Sequence, residues 1–190
     1  PVNSKVNNRF ALVIGNEDYV SYQSGLQNEQ NVDYAERDAA IFKQYCLNTL
    51  GVKSENMFSI TNATSGMMSQ VLKKVIKLTE IEGKDAELII YYAGHGFPDD
   101  QKVPHLMPVD VSGGDLSRAI NLQELYKDLG NLKAKKVTVF LDACFTGGGR
   151  ESGLMASRGV KVKPKEGSLG GSLVVFSASS GDQSSLPFNK

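Results

Sequence analysis

The chain has 190 residues, 41% hydrophobic and 22% charged, which is the composition of a single soluble globular domain with a substantial core. Its 21 basic and 21 acidic residues cancel, so the charge balance argues against a nucleic-acid partner or an anionic membrane surface. Every apolar stretch is shorter than the ~20 residues of a membrane span, and no secretory signal precedes the first strand, so we expect a cytoplasmic rather than a secreted protein. Because the sequence starts at Pro1 rather than at methionine, we expect a trimmed N-terminus, which leaves the compartment open.

Strand and helix signals alternate along the chain. Short apolar runs and helical periodicity predict, in chain order, a strand at 10–15, a helix at 33–50, a strand at 57–61, a helix from Thr64 or Ser65, and a strand at 86–93. Residues 97–116 carry three prolines and predict an irregular excursion or a small hairpin, before a helix from Asn121 to Gly130 and strands at 137–141 and 173–178. Apolar strands separated by amphipathic helices predict an α/β fold, with a mostly parallel sheet covered on both faces.

Two of the predicted strand ends carry a thiol and an imidazole. Cys144 follows the strand at 137–141, and His95 stands in a Gly-His-Gly triplet after the strand at 86–93. The carboxyl ends of parallel strands meet at one edge of a sheet, which is where open α/β folds bind their ligands. A thiol attacks as the thiolate, and a neighbouring imidazole can take its proton. We therefore predict a cysteine peptidase with His95 and Cys144 as the catalytic pair.

The second cysteine and the second histidine have structural explanations. Cys46 shares helical spacing with the apolar residues of the helix at 33–50, which predicts a small buried side chain. His105 lies between Pro104 and Leu106 and has no partner motif, so we expect it to be structural.

Four sequence strings, in their order along the chain, resemble a known family. YYAGHG at residues 91–96 and DACFTG at residues 142–147 closely resemble the His and Cys motifs of caspase-like peptidases, above all metacaspases, paracaspases and their bacterial relatives. ALVIGN at 11–16 and ERDAA at 36–40 are similar to the first strand and first-helix entry of that family. The motif histidine and cysteine are 49 residues apart, and caspases have about 50. The resemblance covers nearly the whole chain and implies a caspase-like fold.

The resemblance also implies roles for backbone groups and carboxylates. The N–H groups of Gly96 and Cys144 would form the oxyanion hole. Asp142 stands two residues before the cysteine, where metacaspase-like relatives place an acid that binds a P1 Arg or Lys, whereas caspases carry Gln there. Asp182 matches a second acidic S1 position, and Asp38 is a third candidate. The competing explanations are a backbone cap at the strand end for Asp142, a solvated turn for Asp182, and helix capping for Asp38.

By the same resemblance, residues 1–190 form a single caspase-like catalytic domain. Its parts would be a large-subunit-like region at about 1–145, a glycine-rich basic linker at about 146–172, and the start of a small-subunit-like region at 173–190 that is incomplete at its C-terminus. The partners implied are protein or peptide substrates with Arg or Lys at P1 and the chain's own C-terminal small-subunit segment. Cleavage after basic residues would allow processing of the chain by itself or by a sibling molecule, with Lys190, Arg150, Arg158, Lys161, Lys163 and Lys165 as candidate sites. Lys190 has a second explanation, as an arbitrary end of the chain.

We expect no metal and no required cofactor. Calcium activates some relatives, but the acidic residues Asp99, Asp100, Asp110 and Glu151 are too scattered to form a calcium loop. Calcium dependence therefore has no evident site in the sequence.

Other function classes fit the sequence less well. The main alternative is a catalytically silent caspase-like scaffold, but such modules usually lose the Cys or the His, and both are present. A nucleotide-binding domain is disfavoured because the first strand ends without a glycine-rich phosphate loop. A serine hydrolase is disfavoured because the chain has no Gly-x-Ser-x-Gly elbow.

Overall fold

The computed structural model describes residues 5–24, 29–143, 145 and 171–178. The elements in chain order are β1 (Arg9–Gly15), α1 (Tyr19–Tyr22), α2 (Ala35–Asn48), β2 (Met57–Thr61), α3 (Ser65–Glu82), β3 (Glu87–Ala93), β4 (Gly96–Pro98), β5 (Pro104–Leu106), β6 (Ile120–Asn121), α4 (Leu122–Gly130), β7 (Lys136–Asp142) and β8 (Leu173–Ser177). Short 3-10 turns precede β2 and β3. No helix within these described ranges is long and apolar enough to cross a bilayer.

The central sheet has five parallel strands in the order β2-β1-β3-β7-β8. Strands β1 and β3 are apolar without alternation, and six of the seven residues of each are buried, because helices cover both faces. The register aligns Gly15, Ala93 and Asp142 across three neighbouring strands at the carboxyl edge. The predicted α/β fold with a mostly parallel sheet is confirmed.

The two faces of the sheet differ in the size of the side chains that cover them. On one face, helices α3 and α4 pack on a large cluster that includes Leu12, Leu88 and Tyr92. On the other face, α2 packs closely, because Gly15 opposes small residues of the helix. A Cβ on residue 15 would lie 2.6 Å from the carbonyl oxygen of Ala35 and 2.7 Å from the Cβ of Ala39. This close packing holds the first turn of α2 beside the carboxyl edge of the sheet.

The helices begin and end near the predicted residues. The Thr64 side chain accepts a hydrogen bond from an N–H of the first turn of α3, and the Asn121 side chain does the same for α4. Helix α2 covers residues 35–48 rather than the predicted 33–50, because Tyr34 adopts a left-handed conformation with a φ of 71° and stands outside the helix.

A second, small sheet follows β3 directly. Strands β4, β5 and β6 pair antiparallel in that order, so the predicted hairpin is confirmed and a third strand joins it. The four-residue helix α1 was not predicted. Since β3 ends at Ala93 and β4 begins at Gly96, residues 94 and 95 form the junction between the two sheets.

Candidate active site

His95 lies at the junction of the two sheets, half-buried, with its ring held on two sides. The Nε2 atom is 2.6 Å from the carbonyl oxygen of Gln30, so Nε2 carries the proton and donates it. The phenol ring of Tyr19 packs against the imidazole, with ring centroids 4.6 Å apart and the planes tilted by 54°. Both partners belong to the connection between β1 and α2. With Nε2 protonated, Nδ1 is the ring atom that can accept a proton.

The main chain of His95 is held by two buried tyrosine hydroxyls. Its N–H donates to the Tyr19 hydroxyl at 3.0 Å, and its carbonyl accepts from the Tyr92 hydroxyl at 2.7 Å and from the Met107 N–H at 3.0 Å. Burial raises the pKa of both phenols well above the ordinary value, so both hydroxyls keep their protons at neutral pH.

Buried polar side chains fix the β1–α2 connection that supplies the Gln30 carbonyl. The Gln23 amide donates to the carbonyl of Val111 at 2.8 Å, and its oxygen accepts from the N–H of Glu29 at 3.1 Å. The Glu29 carboxylate accepts in turn from the N–H of Gly113 at 3.0 Å. Glu29, the residue immediately before Gln30, is therefore held by hydrogen bonds through both its main chain and its side chain.

The end of β7 meets the end of β3 beside His95. Asp142 pairs with Ala93 in the parallel register, and the carbonyl of Asp142 accepts from the N–H of Gly94 at 3.3 Å. Asp142 is half-buried at the last position of its strand. The motif that contains the cysteine thus starts within hydrogen-bonding distance of the motif that contains the histidine.

The residues on either side of Cys144 in the sequence are buried against the same region. Ala143 is 2% exposed and belongs to the large apolar cluster, and so does Phe145. The ring of Phe145 lies directly on Gly96, where any Cβ would overlap it. Cys144 itself lies outside the described residues.

Two of the three predicted S1 carboxylates act electrostatically on the same buried tyrosine. Burial raises the pKa of the Tyr91 phenol, and the negative charges of Asp142 and Asp38 raise it further. Asp38 lies in the first turn of α2, and Asp142 lies on the sheet face that α2 covers. Phe42 of α2 stacks on the Tyr91 ring at 4.3 Å. Asp182, the third predicted carboxylate, lies outside the described residues.

The N–H of Gly96 points away from the neighbouring strand. Gly96 pairs with Leu106, and the N–H of Met107 donates to the carbonyl of His95. In an antiparallel ladder this pattern makes 96 and 106 a non-hydrogen-bonded pair, in which the N–H groups are directed outward. The outward direction is the one that an oxyanion-hole donor requires.

Cys46 and His105 are structural, as predicted. Cys46 is fully buried in α2, and burial raises the pKa of its thiol to about 11, so it stays an unreactive thiol. His105 is buried in β5, with Nδ1 2.9 Å from the carbonyl oxygen of Val103.

No group of three or more metal-ligating side chains exists among the described residues. Two acids considered for calcium have local roles instead. Asp99 accepts from the N–H groups of Gln101 and Val103 in a turn, and Asp110 caps the start of α3 at Ser65. Glu151 lies outside the described residues. So do all six candidate processing sites, at 150, 158, 161, 163, 165 and 190.

The sequence patterns did not identify Gln30 or Tyr19. Gln30 contributes a main-chain carbonyl, which any residue type would supply, so no side-chain signal could reveal it. Tyr19 lies in a helix of four residues with no periodicity, and its contact with His95 joins residues 76 apart.

The chain matches one family model over nearly its whole length. That model, described as the caspase domain (peptidase C14), covers residues 8–187. The matched range includes the motifs at 91–96 and 142–147 and all five strands of the central sheet. A comparison with curated proteins finds no match.

Proposed function

Because the chain belongs to the caspase-domain family and is therefore a cysteine-type peptidase acting on protein substrates, we propose that it cleaves after Arg or Lys with a His95/Cys144 dyad. The contact between Phe145 and Gly96 carries the proposal. It supports a cysteine motif packed on the histidine motif at the carboxyl edge of the sheet.

The chain on both sides of Cys144 is tied to the chain on both sides of His95. Before the cysteine, Asp142 is bonded to Gly94, and after it, Phe145 packs on Gly96. Consecutive Cα atoms are about 3.8 Å apart, so Cys144 can reach only a short distance from these two anchors. This double attachment supports a thiol within reach of the imidazole.

The proposed reaction uses Nδ1 of His95 as the acceptor of the Cys144 proton. The thiolate sulfur forms a bond to the scissile carbonyl carbon, and the carbonyl π electrons move to the oxygen. When the intermediate collapses, the C–N bond breaks and the imidazolium returns the proton to the leaving amine. A water molecule, deprotonated by His95, then hydrolyses the thioester to release the carboxylate and restore the thiol.

The Gln30 carbonyl stabilises the imidazolium during this cycle. It accepts the Nε2 proton at 2.6 Å, so positive charge on the ring strengthens this hydrogen bond. The negative oxygen of the intermediate is assigned to the N–H groups of Gly96 and Cys144. Each such donor is typically worth about 3–4 kcal/mol in the transition state. The outward direction of the Gly96 N–H supports this assignment.

The proposed S1 pocket binds a basic side chain between Asp142 and Asp38. Both carboxylates approach Tyr91 on the α2 face, so a P1 guanidinium or ammonium would meet two negative charges. A partly desolvated cation needs such a partner, whereas a P1 carboxylate would be repelled. Asp182 is proposed as a third member on the basis of the resemblance alone.

The proposed domain organisation and processing follow from the resemblance. Strand β8 pairs with β7, so the small-subunit-like part proposed at 173–190 begins inside the same sheet as the large-subunit-like part. Cleavage in the basic linker at about 146–172 would separate the two parts without removing β8 from the sheet, and cleavage after Lys190 would leave both parts on one chain. Activity without calcium is part of the proposal, and EDTA should leave the rate unchanged.

Cleavage of peptides that differ only at P1 tests the proposed function. Fluorogenic peptides ending in Arg, Lys or Asp are offered to the wild-type chain, to Cys144→Ala and to Cys46→Ala, with EDTA or calcium. We expect turnover after Arg and Lys, a loss of at least about 1000-fold in Cys144→Ala, and wild-type turnover in Cys46→Ala. Turnover after Asp would reject the proposed S1 pocket, and full activity in Cys144→Ala would reject the proposed nucleophile.

A further inference from the structure

His95 is flanked by two glycines, so its neighbours in the chain supply no side chains to hold it. Gly94 has a φ of 155°, and Gly96 begins β4. Glycine on both sides leaves the main chain of the residue between them more freedom than any other pair would. A general base must keep its ring within hydrogen-bonding distance of the reacting proton, so the orientation has to come from elsewhere in the fold.

Tyr19 supplies two of the contacts that orient His95. Its hydroxyl accepts the N–H of His95 at 3.0 Å and donates to the carbonyl of Met107 at 2.9 Å. Its ring packs against the imidazole at 4.6 Å. Tyr19 is completely buried, although it lies in a helix of only four residues. Tyr19 therefore contacts the main chain of His95, the ring of His95 and, through the Met107 carbonyl, the segment that follows β5.

The contacts around Tyr19 allow an assignment of protons in which each tyrosine hydroxyl both donates and accepts. The Tyr19 proton goes to the Met107 carbonyl, and the Tyr92 proton goes to the His95 carbonyl. The two hydroxyl oxygens then accept the N–H groups of His95 and Met107. Because burial keeps both phenols protonated, this arrangement persists across the pH range in which an imidazole titrates.

The approach of the two hydroxyls explains the glycine at position 94. A Cβ there would lie 2.7 Å from the Tyr92 hydroxyl and 3.0 Å from the Tyr19 hydroxyl. The phenols therefore contact the main chain of the Gly-His-Gly triplet directly. The same connection that carries Tyr19 also presents the Gln30 carbonyl to Nε2, so both contacts with the ring come from residues 16–34.

We propose that Tyr19 is a positioning residue, which holds the ring of His95 in the orientation that lets the Gln30 carbonyl keep Nε2 protonated. Its catalytic consequence rests on the proposed function, because orientation changes the rate only if His95 is the base. Tyr19 touches neither substrate nor nucleophile in this proposal. Its loss should therefore lower kcat and leave KM nearly unchanged.

The imidazole can be observed without any turnover, because the chain has only two histidines. The full chain is labelled with ¹⁵N-histidine, and the ring nitrogens of His95 and His105 are followed by NMR from pH 5 to 9. His105 is buried in β5 and serves as an internal reference. The variants are Tyr19→Phe, which keeps the ring and loses the hydroxyl, and Tyr19→Leu, which loses both. Tyr126→Phe in α4 is the matched control, because it removes a half-buried hydroxyl from another part of the fold.

In the wild type we expect His95 in the Nε2-protonated tautomer. Tyr19→Phe should give a mixture of tautomers and a kcat reduced about 10-fold, and Tyr19→Leu about 100-fold, with KM within about 2-fold. The His105 signals, and all signals of Tyr126→Phe, should be unchanged. A folded Tyr19→Phe with wild-type His95 signals would overturn the inference, and so would equal changes at both histidines. If His95 responds but the wild type cleaves no basic peptide, the proposed function fails and the positioning of His95 by Tyr19 stands.

Discussion

The carboxyl and amino edges of the central sheet both carry polar groups, but of different kinds. At the carboxyl edge the groups that bond to the main chain of His95 are neutral and buried, namely the Tyr19 and Tyr92 hydroxyls. At the amino edge they are charged and partly exposed. There Glu87 of β3 forms ion pairs with Arg9 of β1 and with Lys135, the residue immediately before β7.

We infer from this difference that the two edges serve different purposes, orientation of His95 at one and stability at the other. Neutral buried hydroxyls have fixed directions and must be matched by partners, so they hold a reactive group in one orientation. Ion pairs at a partly exposed edge are less directional and tie strands together. Substitutions at the carboxyl edge should therefore change activity more than stability, and substitutions at the amino edge should do the reverse.

Among substitutions that compare the two edges, the largest effect is expected at Asp142, at the end of β7. Asp142→Asn removes one of the carboxylates proposed to face the P1 cation, and loss of a partly desolvated charge partner is costly. We expect kcat/KM for an Arg peptide to fall at least about 100-fold. Asp128→Asn, on the exposed side of α4, is the matched control and should cleave at the wild-type rate. Equal loss on Arg peptides and on peptides with a neutral P1 would contradict a role in S1.

A smaller effect is expected at Gly94, between the two sheets. Gly94→Ala places a Cβ 2.7 Å from the Tyr92 hydroxyl, which forces the phenols or His95 to move. A displacement of this kind should lower kcat about 30-fold, measured where circular dichroism shows a folded protein. Gly66→Ala in α3 meets no atom within 4 Å, so it should keep full activity. A fully active Gly94→Ala would show that the contacts with the phenols are dispensable.

The smallest effect is expected at the amino edge, and on stability alone. Burial by itself raises the pKa of Glu87, but the hydrogen bonds and charges of Lys135 and Arg9 outweigh it, so the net pKa is below the ordinary 4.5. A carboxyl whose pKa is lower in the folded than in the unfolded protein stabilises the fold when the pH is above its unfolded-state pKa. That contribution disappears as the pH falls through its folded-state pKa. Glu87→Gln should therefore reduce the free energy of unfolding by about 2 kcal/mol at pH 7, with a difference that shrinks below pH 4.5.

Urea unfolding from pH 3 to pH 7 measures this difference, and peptide cleavage should be unchanged. Glu80→Gln is the control, because the Glu80 side chain is 48% exposed in its pair with Lys77. It should change stability by less than about 0.5 kcal/mol. A Glu87→Gln protein whose deficit is the same at pH 3 and pH 7 would contradict the assigned cause.

The sequence predicted the sheet and the long helices because their signals are local. The apolar runs placed β1, β2, β3, β7 and β8 within one residue or so, and Thr64 and Asn121 marked true helix starts. The excursion after His95 was predicted as a hairpin, but Ile120–Asn121 is too short to give a strand signal. Helix α1 is four residues long and depends on tertiary contacts, which no periodicity reports.

The sequence could nominate candidate site residues only where side chains carry the chemistry, and their roles stay predictions. His95, Asp142 and Asp38 are residue types that often act in catalysis or bind charged groups. The order of the three motifs that contain them indicated that they belong to one site. The Gln30 carbonyl has no sequence signature, because every residue has a main-chain carbonyl. The Tyr19 contact depends on how the β1–α2 connection folds over the junction, and its hydrogen bond spans 76 residues. Such contacts become visible only in the folded chain.

One measurement tests the central claim most directly. The wild-type chain and His95→Ala are treated with a covalent arginyl probe and with its aspartyl analogue, and the modified residue is identified by peptide mass spectrometry. We predict arginyl labelling at Cys144, no labelling at the buried Cys46, and loss of labelling in His95→Ala. Labelling at Cys46, or labelling at Cys144 that does not depend on His95, would contradict a basic-specific His95/Cys144 peptidase.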